Sequence, residues 1–570
     1  MSDTEMNRRN FLRSVGTGVA GLTAASAFPS VAHGQNSRTS RPNVVFIMAD
    51  DMGFSDIGCY GGEIDTPNID ELADEGLRFS QFYNAARCCP TRASALTGVY
   101  PHQAGMGFMM SEGDDLGLPG YRSHLNDSCV TIAEVLGRAG YNTAMSGKWH
   151  LGTERPHWPT NRGFDHFSGI LEGSSDYFDP GKGALGFSRN ERVDLGGEDF
   201  YMTDYISDEA VRYVEQMGEK DDPFFLYLPY TAPHWPIQAP EAMIQKYEGR
   251  YMDGWDVLRE QRYARQKEMG LFSRTDWSLS PRDSGVPPWD EVGNKQRWDR
   301  KMATYAAMIE VMDQGIGRVM RTLERLGIAD NTLVLFISDN GACAETAGRG
   351  SEAVPGTPES FVGYHLPWAN VSNTPFRLYK HWVHEGGIST PLIAHWPDGL
   401  EAEPGSITHE VGHIVDIMAT AVDVADASYP GMHDGRSITS LEGESLVPLL
   451  KGRSRPGHSM LFWEHEGNRA VRQGRWKITS RSHITWQLRT QYSYTGPFKP
   501  NDVRWSLYDM EADRTELNDL ALEYPEKVSE LARQYHRWAD QVGVIPWRDY
   551  MARTDIGWLK NVQKIEPPQQ

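Results

Sequence analysis

The sequence predicts an α/β protein with a large, mixed, mostly parallel sheet sandwiched by helices, and a smaller C-terminal domain with an antiparallel sheet and one helix. From Pro42 onward, short apolar runs alternate with helical patterns, as in parallel strands joined by crossover helices. Near residue 450 this alternation gives way to short strand patterns and one amphipathic helix. We therefore expect a main domain at residues 42–450 and a C-terminal domain at residues 451–560.

Five apolar runs predict the buried strands of the large sheet. They are residues 44–49, 143–146, 224–230, 333–338 and 391–396. Apolar residues between Met302 and Leu323 recur at helical spacing and predict a crossover helix that leads into the fourth strand. In the C-terminal domain, residues 461–463, 469–472 and 476–480 predict strands, and the spacing from Val528 to Trp538 predicts the helix.

The first 34 residues predict an export signal. Arg8 and Arg9 precede Phe11, Leu12 and an apolar run rich in Gly, Thr and Ala at residues 15–27. This order resembles the twin-arginine signal of bacteria, so we expect a periplasmic or secreted protein delivered by the twin-arginine export machinery. The run is too short and too rich in glycine for a stable membrane span. Cleavage after Ala27 and cleavage nearer Gly34 are both compatible with the sequence.

Charge and cysteine content exclude some classes of protein. The formal net charge of −21 argues against a general nucleic-acid binder. It does not exclude an anionic substrate, because surface charge is screened beyond about 10 Å. The five cysteines are Cys59, Cys88, Cys89, Cys129 and Cys343. The number of cysteines is odd, and their spacing is not that of a disulfide scaffold. The adjacent Cys88 and Cys89 cannot pair with each other without strain. At least one cysteine therefore needs another explanation, whereas Cys59, Cys129 and Cys343 suit buried apolar positions.

Polar residues follow four of the five predicted strands. In chain order they are Asp50 and Asp51, then Lys148 and His150, then His234, then Asp339 and Asn340. Ligands of open α/β sheets bind at the carboxyl ends of the strands, so we expect one site there. The three aspartates and the asparagine offer only oxygen ligands, which predicts Ca²⁺, with Mg²⁺ as the second choice. Taken singly, each aspartate is also compatible with a helix cap or a turn.

In residues 88–98, CCPTRASALTG, Pro90 suits a first helical position, and residues 91–96 predict a short helix that Gly98 ends. Cys88 would lie at its N-terminus, where free backbone amides favour anions. Arg92 would lie one turn along, on the side of Cys88. From these residues alone, Cys88 is a candidate for an activated thiolate nucleophile.

The pattern Cys-x-Pro-x-Arg followed by Leu-Thr-Gly resembles the signature of the type I sulfatases, within the alkaline phosphatase superfamily. The resemblance extends to residues 43–51, 147–150, 232–235 and 338–341, and to Lys380 five residues before Glu385. It covers the chain from Pro42 to about residue 545 and is strongest to bacterial arylsulfatases. It implies an alkaline-phosphatase-like fold, a catalytic domain at residues 42–450 and hydrolysis of a sulfate ester to alcohol or phenol plus sulfate.

In that family the first cysteine of the motif is oxidised to formylglycine by a formylglycine-generating enzyme, which the resemblance implies for Cys88. One hydroxyl of the hydrated aldehyde would attack sulfur, and deprotonation of the other would expel sulfate. The implied metal ligands are Asp50, Asp51, Asp339, Asn340 and the matured Cys88. Arg92 would hold the hydrate, and Lys148 and Lys380 would bind sulfate oxygens. His234 would protonate the leaving oxygen, and His150 would accept the proton whose loss releases sulfate.

Two other functions remain compatible with the sequence: a phosphonate or phosphate ester hydrolase of the same superfamily, and a non-catalytic protein that binds sulfated glycans. The substrate of a sulfatase here could be a small aryl sulfate or a carbohydrate sulfate. Residues 240–300 and 342–375 are rich in aromatic side chains, which could contact the substrate, although packing within these segments is the favoured interpretation. Cys89 occupies a variable motif position. We expect Asp56 to be a turn residue rather than a support of the metal ligands.

Overall fold

The computed structural model describes residues 41–553, apart from residues 110–114, 183, 273–276, 346–347, 350–351 and 483–503. The predicted export signal at residues 1–34 lies outside this part of the chain. Across the described residues, none of the helices combines the length and the apolar character needed to cross a membrane.

The strands and helices are numbered here in chain order. The strands are β1 Asn43–Ala49, β2 Leu77–Tyr83, β3 Asn142–Lys148, β4 His166–Ile170, β5 Gly186–Ser188, β6 Glu191–Val193, β7 Phe224–Pro229, β8 Thr332–Ser338, β9 Gly348–Arg349, β10 Phe361–Val362, β11 Ser389–His395, β12 Ile407–Thr408, β13 Gly412–His413, β14 Met432–His433, β15 Arg436–Ser437, β16 Leu461–His465, β17 Asn468–Gln473, β18 Trp476–Ser480 and β19 Ser506–Asp509. The helices are α1 Pro67–Asp74, α2 Cys88–Thr97, α3 Ile132–Arg138, α4 Met202–Gly218, α5 Glu241–Tyr247, α6 Trp255–Glu268, α7 Lys295–Arg325, α8 His365–Ser372, α9 Glu385–Ile388, α10 Asp416–Val424, α11 Val447–Leu450, α12 Pro525–Val542 and α13 Trp547–Arg553.

The central sheet runs in the order β12-β2-β11-β8-β1-β7-β3-β4-β5-β6, and β13 also pairs with β2. Strands β8, β1, β7, β3 and β4 are parallel to their neighbours in this run, so their carboxyl ends share one edge. Strand β11 is antiparallel to both β8 and β2. The predicted mixed, mostly parallel sheet is confirmed. All five predicted strands are present, as β1, β3, β7, β8 and β11, with ends that differ by a few residues.

Helices cover both faces of the sheet, and β1 shows why. Val45 and Ile47 point into a core with α1, α4 and α7, whereas Phe46 and Met48 point into a core with α2, α3 and α10. Because successive side chains of a strand point to opposite faces, a strand buried on both faces has a continuous apolar sequence. The predicted crossover helix is α7, and burial of each large apolar side chain on it contributes about 1.5–3 kcal/mol.

The aromatic residues of the segment around 240–300 pack against one another and against α8. The Trp255 ring lies 4.7 Å from that of Trp289 and 5.5 Å from that of Trp368, both edge-on. All three indoles are buried. These side chains therefore pack the segment, as expected, and do not line a cleft.

The C-terminal residues form a separate four-stranded antiparallel sheet, β16-β17-β18-β19, with α12 packed against it. The predicted sheet and helix are thus confirmed, while the predicted domain boundaries stay predictions. This sheet covers the connection between β2 and α2. Leu461, Trp463 and Ala470 share an apolar cluster with Tyr83, the last residue of β2, and with Ala86 of that connection.

Completely buried ion pairs join the C-terminal sheet to the central one. Lys477 of β18 contacts Glu385 of α9 and Glu516, each at 2.8 Å. Arg514 contacts the other oxygen of Glu385 at 2.8 Å. Burial alone would raise the pKa of Glu385, but the charges of Lys477 and Arg514 lower it to about 2. We name Glu385, Lys477, Arg514 and Glu516 the inter-sheet ion cluster.

Removing one member of the inter-sheet ion cluster should be costly. We expect Lys477→Met to lower the free energy of unfolding by about 3–5 kcal/mol, because it leaves Glu516 buried without its cation. Denaturant unfolding followed by tryptophan fluorescence measures this change. In the exposed pair of Arg325 and Glu215, Arg325→Met should change stability by about 1 kcal/mol or less. Equal effects of the two substitutions would contradict a stabilising role for the cluster.

Candidate active site

The carboxyl ends of the parallel strands bring the predicted site residues together. The ten residues are Asp50, Asp51, Cys88, Arg92, Lys148, His150, His234, Asp339, Asn340 and Lys380, and all are buried. Strands β1, β3, β7 and β8 carry or precede seven of them, and the N-terminus of α2 supplies Cys88 and Arg92. Lys380 comes from the loop before α9. The predicted clustering at one sheet edge is therefore what the structure shows.

Three buried carboxylates at this edge are paired with three cations. Lys148 Nζ lies 2.6 Å from Asp50 Oδ2, and Lys380 Nζ lies 2.8 Å from Asp51 Oδ1. The guanidinium of Arg92 donates to Asp339 Oδ2 from Nε at 3.0 Å and from Nη2 at 2.8 Å. Such pairing offsets much of the cost of removing these charges from water.

The oxygen atoms left over at this edge fit a hard divalent cation. Asp50 Oδ1 and Asn340 Oδ1 are buried and have no hydrogen-bond partner among the described residues. Burial and the nearby charge of Asp50 raise the pKa of Asp339 to about 8, so the site favours additional positive charge. Together with Asp51, these residues form an oxygen-only set that suits Ca²⁺ or Mg²⁺.

Cys88 lies at the N-terminus of α2, as predicted, although the helix begins at Cys88 itself, two residues before Pro90. Gly98 follows the helix in the left-handed conformation, with φ of 71°, where a side chain would be strained. A hydrogen bond with Cys89 and, against the effect of burial, the charge of Lys148 hold the pKa of Cys88 well below its usual value. One ring nitrogen of His150 and the sulfur atoms of Cys88 and Cys89 lie within 4.8 Å of one another.

Both site histidines are neutral in the free protein at pH 7. Burial lowers the pKa of His150 and that of His234 to about 4. His234 Nδ1 lies 2.5 Å from the carbonyl oxygen of Trp235, so Nδ1 carries the proton and Nε2 faces Lys380 Nζ at 3.4 Å. A bound anionic substrate would favour the protonated form of His234.

Tyr177 fixes the backbone that carries His234. Its hydroxyl donates to the carbonyl oxygens of Thr231 at 2.7 Å and His234 at 3.0 Å. Its own backbone N–H donates to Gln238 at 2.8 Å. Sequence reasoning missed Tyr177, because nothing in its local pattern marks contacts across more than fifty residues.

Sequence reasoning also missed Arg87, Glu345 and His381, which border the site. Glu345 Oε1 accepts from Arg87 at 3.0 Å and lies 2.8 Å from His381 Nε2. Its second oxygen accepts from the Trp235 indole at 2.8 Å. Arg87 and His381 could have been predicted, because each is adjacent in sequence to a predicted site residue. Glu345 has none, because it lies in a loop without a pattern.

Asp56 is a turn residue and also supports the site. It accepts from the backbone N–H of Gly53 at 2.8 Å, which confirms the expected turn. It also accepts from Tyr305, whose hydroxyl lies 3.3 Å from the carbonyl oxygen of Asp51, and it pairs with Arg262. Asp56 therefore also supports Asp51, one of the predicted metal ligands, a role that the sequence disfavoured. Cys59, Cys129 and Cys343 are buried, as expected.

Comparison with known proteins gives a consistent result. The family profile described as Sulfatase matches residues 42–427. The chain is 34% identical to an uncharacterized sulfatase of Schizosaccharomyces pombe, over 93% of this chain and 99% of that one. It is 37% identical to an arylsulfatase of Klebsiella aerogenes, over 68% of this chain and 88% of the relative. Among solved structures, that of Ps i-CgsB superimposes with a TM-score of 0.63 and 25% identity, over 88% of this chain and 93% of the other.

The oxygen-only set should bind Ca²⁺ in solution. We expect Asp339→Asn to weaken Ca²⁺ binding at least about tenfold, because affinity in oxygen sites follows the number of charged ligands. Isothermal titration of the chelator-treated protein with Ca²⁺ measures the change. Asp434→Asn, which neutralises an exposed carboxylate, should bind Ca²⁺ as the wild type does. An unchanged affinity in Asp339→Asn would contradict the assignment of this ligand.

Proposed function

The chain belongs to the sulfatase family and hydrolyses sulfate esters, and on this premise we propose that it is an arylsulfatase-type enzyme whose nucleophile is made from Cys88. The observation that carries the proposal is the position of Cys88 at the start of α2, where the charges of Lys148 and Lys380 and the ring of His150 act on its sulfur. An anionic group bound beside Cys88 would therefore meet cations, a helix N-terminus and a proton acceptor.

The proposal includes the maturation of Cys88 to formylglycine. The hydrated aldehyde would supply two hydroxyl groups on one carbon, one for attack on sulfur and one for the later release of sulfate. Arg92 is fixed by Asp339 and by the carbonyl oxygen of Lys148 at 3.0 Å. Its guanidinium thereby stays one helical turn from residue 88 and offsets negative charge there.

The proposed metal ligands are Asp50, Asp51, Asp339, Asn340 and the matured residue 88, and the proposed ion is Ca²⁺. When bound, this ion would polarise the sulfate ester and favour ionisation of the attacking hydroxyl. In the absence of further positive charge, Lys148 and Lys380 neutralise Asp50 and Asp51. With these carboxylates shared with a cation, both ammonium groups are available to sulfate oxygens.

The two histidines have separate roles in this proposal, because their nearest neighbours in the site differ. His150 is next to Cys88, and its neutral ring is able to accept a proton from the residue made there. His234 is next to Lys380 and Asp51, and its Nε2 faces the site. We assign it the donation of a proton to the leaving oxygen of the ester.

The arylsulfatase assignment draws on the arylsulfatase of Klebsiella aerogenes, and a carbohydrate sulfate is the second candidate substrate. A phosphonate or phosphate ester hydrolase would use the same oxyanion chemistry. Rates on one aryl sulfate and on the phosphate of the same phenol separate the two activities. A protein that binds sulfated glycans but hydrolyses neither ester would instead be a binding protein.

Export and maturation belong to the same proposal. The twin-arginine pattern at Arg8 and Arg9 supports transport to the periplasm or beyond by the twin-arginine machinery. The motif at Cys88 supports maturation by a formylglycine-generating enzyme. Fractionation of cells that produce the full chain, compared with cells that produce Arg8→Lys/Arg9→Lys, would test the export route.

Cys88 should carry the modification and the activity. We expect the peptide that contains Cys88, taken from active enzyme, to be about 18 Da lighter than its unmodified mass, since a thiol is replaced by an aldehyde. Cys88→Ala should lower kcat at least about 10⁴-fold, because it removes the nucleophile. The control Cys89→Ala should stay within about tenfold of the wild type. Fully active enzyme with an unmodified Cys88 peptide would refute the mechanism.

Tyr177→Phe should impair the protonation of the leaving group. We expect kcat for phenyl sulfate to fall about 10–100-fold, because His234 loses the hydrogen bond that fixes its backbone. For 4-nitrophenyl sulfate, whose leaving phenolate needs little protonation, the loss should stay below about threefold. Tyr201→Phe is the matched control, because its hydroxyl donates to the Gln238 carbonyl and not to His234. Equal losses on both substrates would show that Tyr177 acts only on folding.

A further inference from the structure

One short segment of the chain contacts both histidines of the proposed reaction. Residues 171–177 directly follow β4 and end at Tyr177. At the start of this segment, the carbonyl oxygen of Leu171 accepts from the backbone N–H of His150 at 3.0 Å. At its end, the Tyr177 hydroxyl donates to the carbonyl oxygen of His234 at 3.0 Å. We name residues 171–177 the histidine segment.

Gly173, within the histidine segment, lies directly beside the imidazole ring of His150. A Cβ atom on Gly173 would lie 2.6 Å from both Cε1 and Nε2 of His150, and 3.2 Å from Nδ1. Carbon atoms that are not bonded to each other make contact at about 3.5–4.0 Å. The ring of His150 therefore occupies the space that a side chain at position 173 would need.

Packing has more influence on the orientation of His150 than on that of His234. In His234, Nδ1 is fixed by the carbonyl oxygen of Trp235 at 2.5 Å. In His150, Nδ1 is buried and has no hydrogen-bond partner among the described residues. Because a hydrogen bond on one ring nitrogen usually sets the orientation of the other, His150 lacks this means of fixing its ring. The backbone of Gly173 supplies a wall against the ring instead.

The backbone conformation of Gly173 does not itself require glycine. Its φ angle lies outside the left-handed region, so the backbone there is compatible with alanine. The three atoms nearest to an added Cβ all belong to the His150 ring. A ring at the end of a side chain rotates more easily than backbone moves. A methyl group at position 173 should therefore displace the His150 ring and leave the surrounding fold in place.

On the basis of the proposed function, we propose that Gly173 is a positioning residue that holds His150 where it accepts the proton whose loss releases sulfate. In this second step, the free hydroxyl of residue 88 gives its proton to His150. The electron pair of that O–H bond forms the carbonyl bond, the C–O bond to the sulfate group breaks, and sulfate leaves. Water then restores the hydrate. Displacement of the His150 ring slows this step.

The two contacts of the histidine segment thus act on different steps of the reaction. Gly173 acts through His150 on the release of sulfate, whereas Tyr177 acts through His234 on the cleavage of the ester. When a second, later step is slowed, kcat and KM fall together and kcat/KM is unchanged, because kcat/KM depends only on the steps up to the first irreversible one. When the first step is slowed, kcat/KM falls.

The kinetics of Gly173→Ala with 4-nitrophenyl sulfate test the proposal. We expect kcat and KM to fall together by about 10–100-fold, with kcat/KM within about threefold of the wild type. The first turnover should appear as a burst of about one 4-nitrophenol per active site. During turnover, the intact mass should be about 80 Da above that of the hydrated resting enzyme, because the sulfate group stays bound. Tyr177→Phe with phenyl sulfate should instead lower kcat/KM and show no burst.

Gly431→Ala is the matched control. A Cβ atom on Gly431 meets no atom within 4 Å, and the φ angle of Gly431 also lies outside the left-handed region. This variant should keep wild-type kinetics. A measurement that does not depend on turnover is the crystal structure of Gly173→Ala with Cys88 unmodified. It should show the His150 ring displaced by about 1 Å, the shift that restores normal contact distances.

Three results would overturn the role of Gly173. The first is a Gly173→Ala variant with wild-type kcat and no burst. The second is a fall of kcat/KM as large as the fall of kcat, which indicates general damage to the site. The third is a His150 ring that stays in place in the variant. A failure of the proposed function looks different, because the wild type itself would then be active with an unmodified Cys88.

Discussion

The pairing of buried charges at the carboxyl edge of the central sheet is the constraint on which the rest of the site depends. Asp50, Asp51 and Asp339 come together because β1 and β8 are parallel neighbours that end at the same level. Carboxylates held this close and away from water repel one another. Cations from α2, β3 and the loop before α9 pair with these carboxylates. Three segments that are distant in sequence must therefore come together before the carboxylates are stabilised.

The same charge balance links stability to catalysis. Lys148, Arg92 and Lys380 stabilise the carboxylates, yet in the proposed reaction they also meet the substrate. Of these three residues, Lys380 is the farthest along the chain from Asp50 and Asp51. The loop that carries Lys380 contacts the C-terminal sheet at two points. Lys477 of the inter-sheet ion cluster anchors Glu385, five residues after Lys380, and Asn468 of β17 donates to the backbone carbonyl oxygen of His381, the residue next to Lys380. The C-terminal sheet thus supports the position of Lys380, although its own residues have no role in the proposed reaction.

The fold could be predicted where the sequence carries a pattern that does not depend on distant contacts. The strands β1, β7 and β8 are buried on both faces, so they appear as continuous apolar runs. Strand β2 escaped prediction because Arg78 and Gln81 interrupt its apolar residues, and β4 because it is short and contains Ser168 and Gly169.

The site followed the same rule. Apart from Lys380, the residues predicted for the site end or follow strands or lie in the cysteine motif, so their position along the chain already marks them. Tyr177 and Glu345 act through contacts to segments far away in sequence, and loop residues of this kind have no periodicity to detect. The buried tryptophans around α6 show the opposite case, in which an unusual composition serves packing alone.

The cover that the C-terminal sheet places over the β2–α2 connection has a consequence for biosynthesis. Glu516, the last member of the inter-sheet ion cluster, follows Cys88 by 428 residues. At about 5–20 residues per second, a ribosome needs about 20–90 s to traverse that distance. Throughout this interval the nascent polypeptide lacks the sheet that later covers the connection just before the cysteine motif. Under the proposed maturation of Cys88, the modifying enzyme would therefore be able to reach this segment before the C-terminal sheet exists.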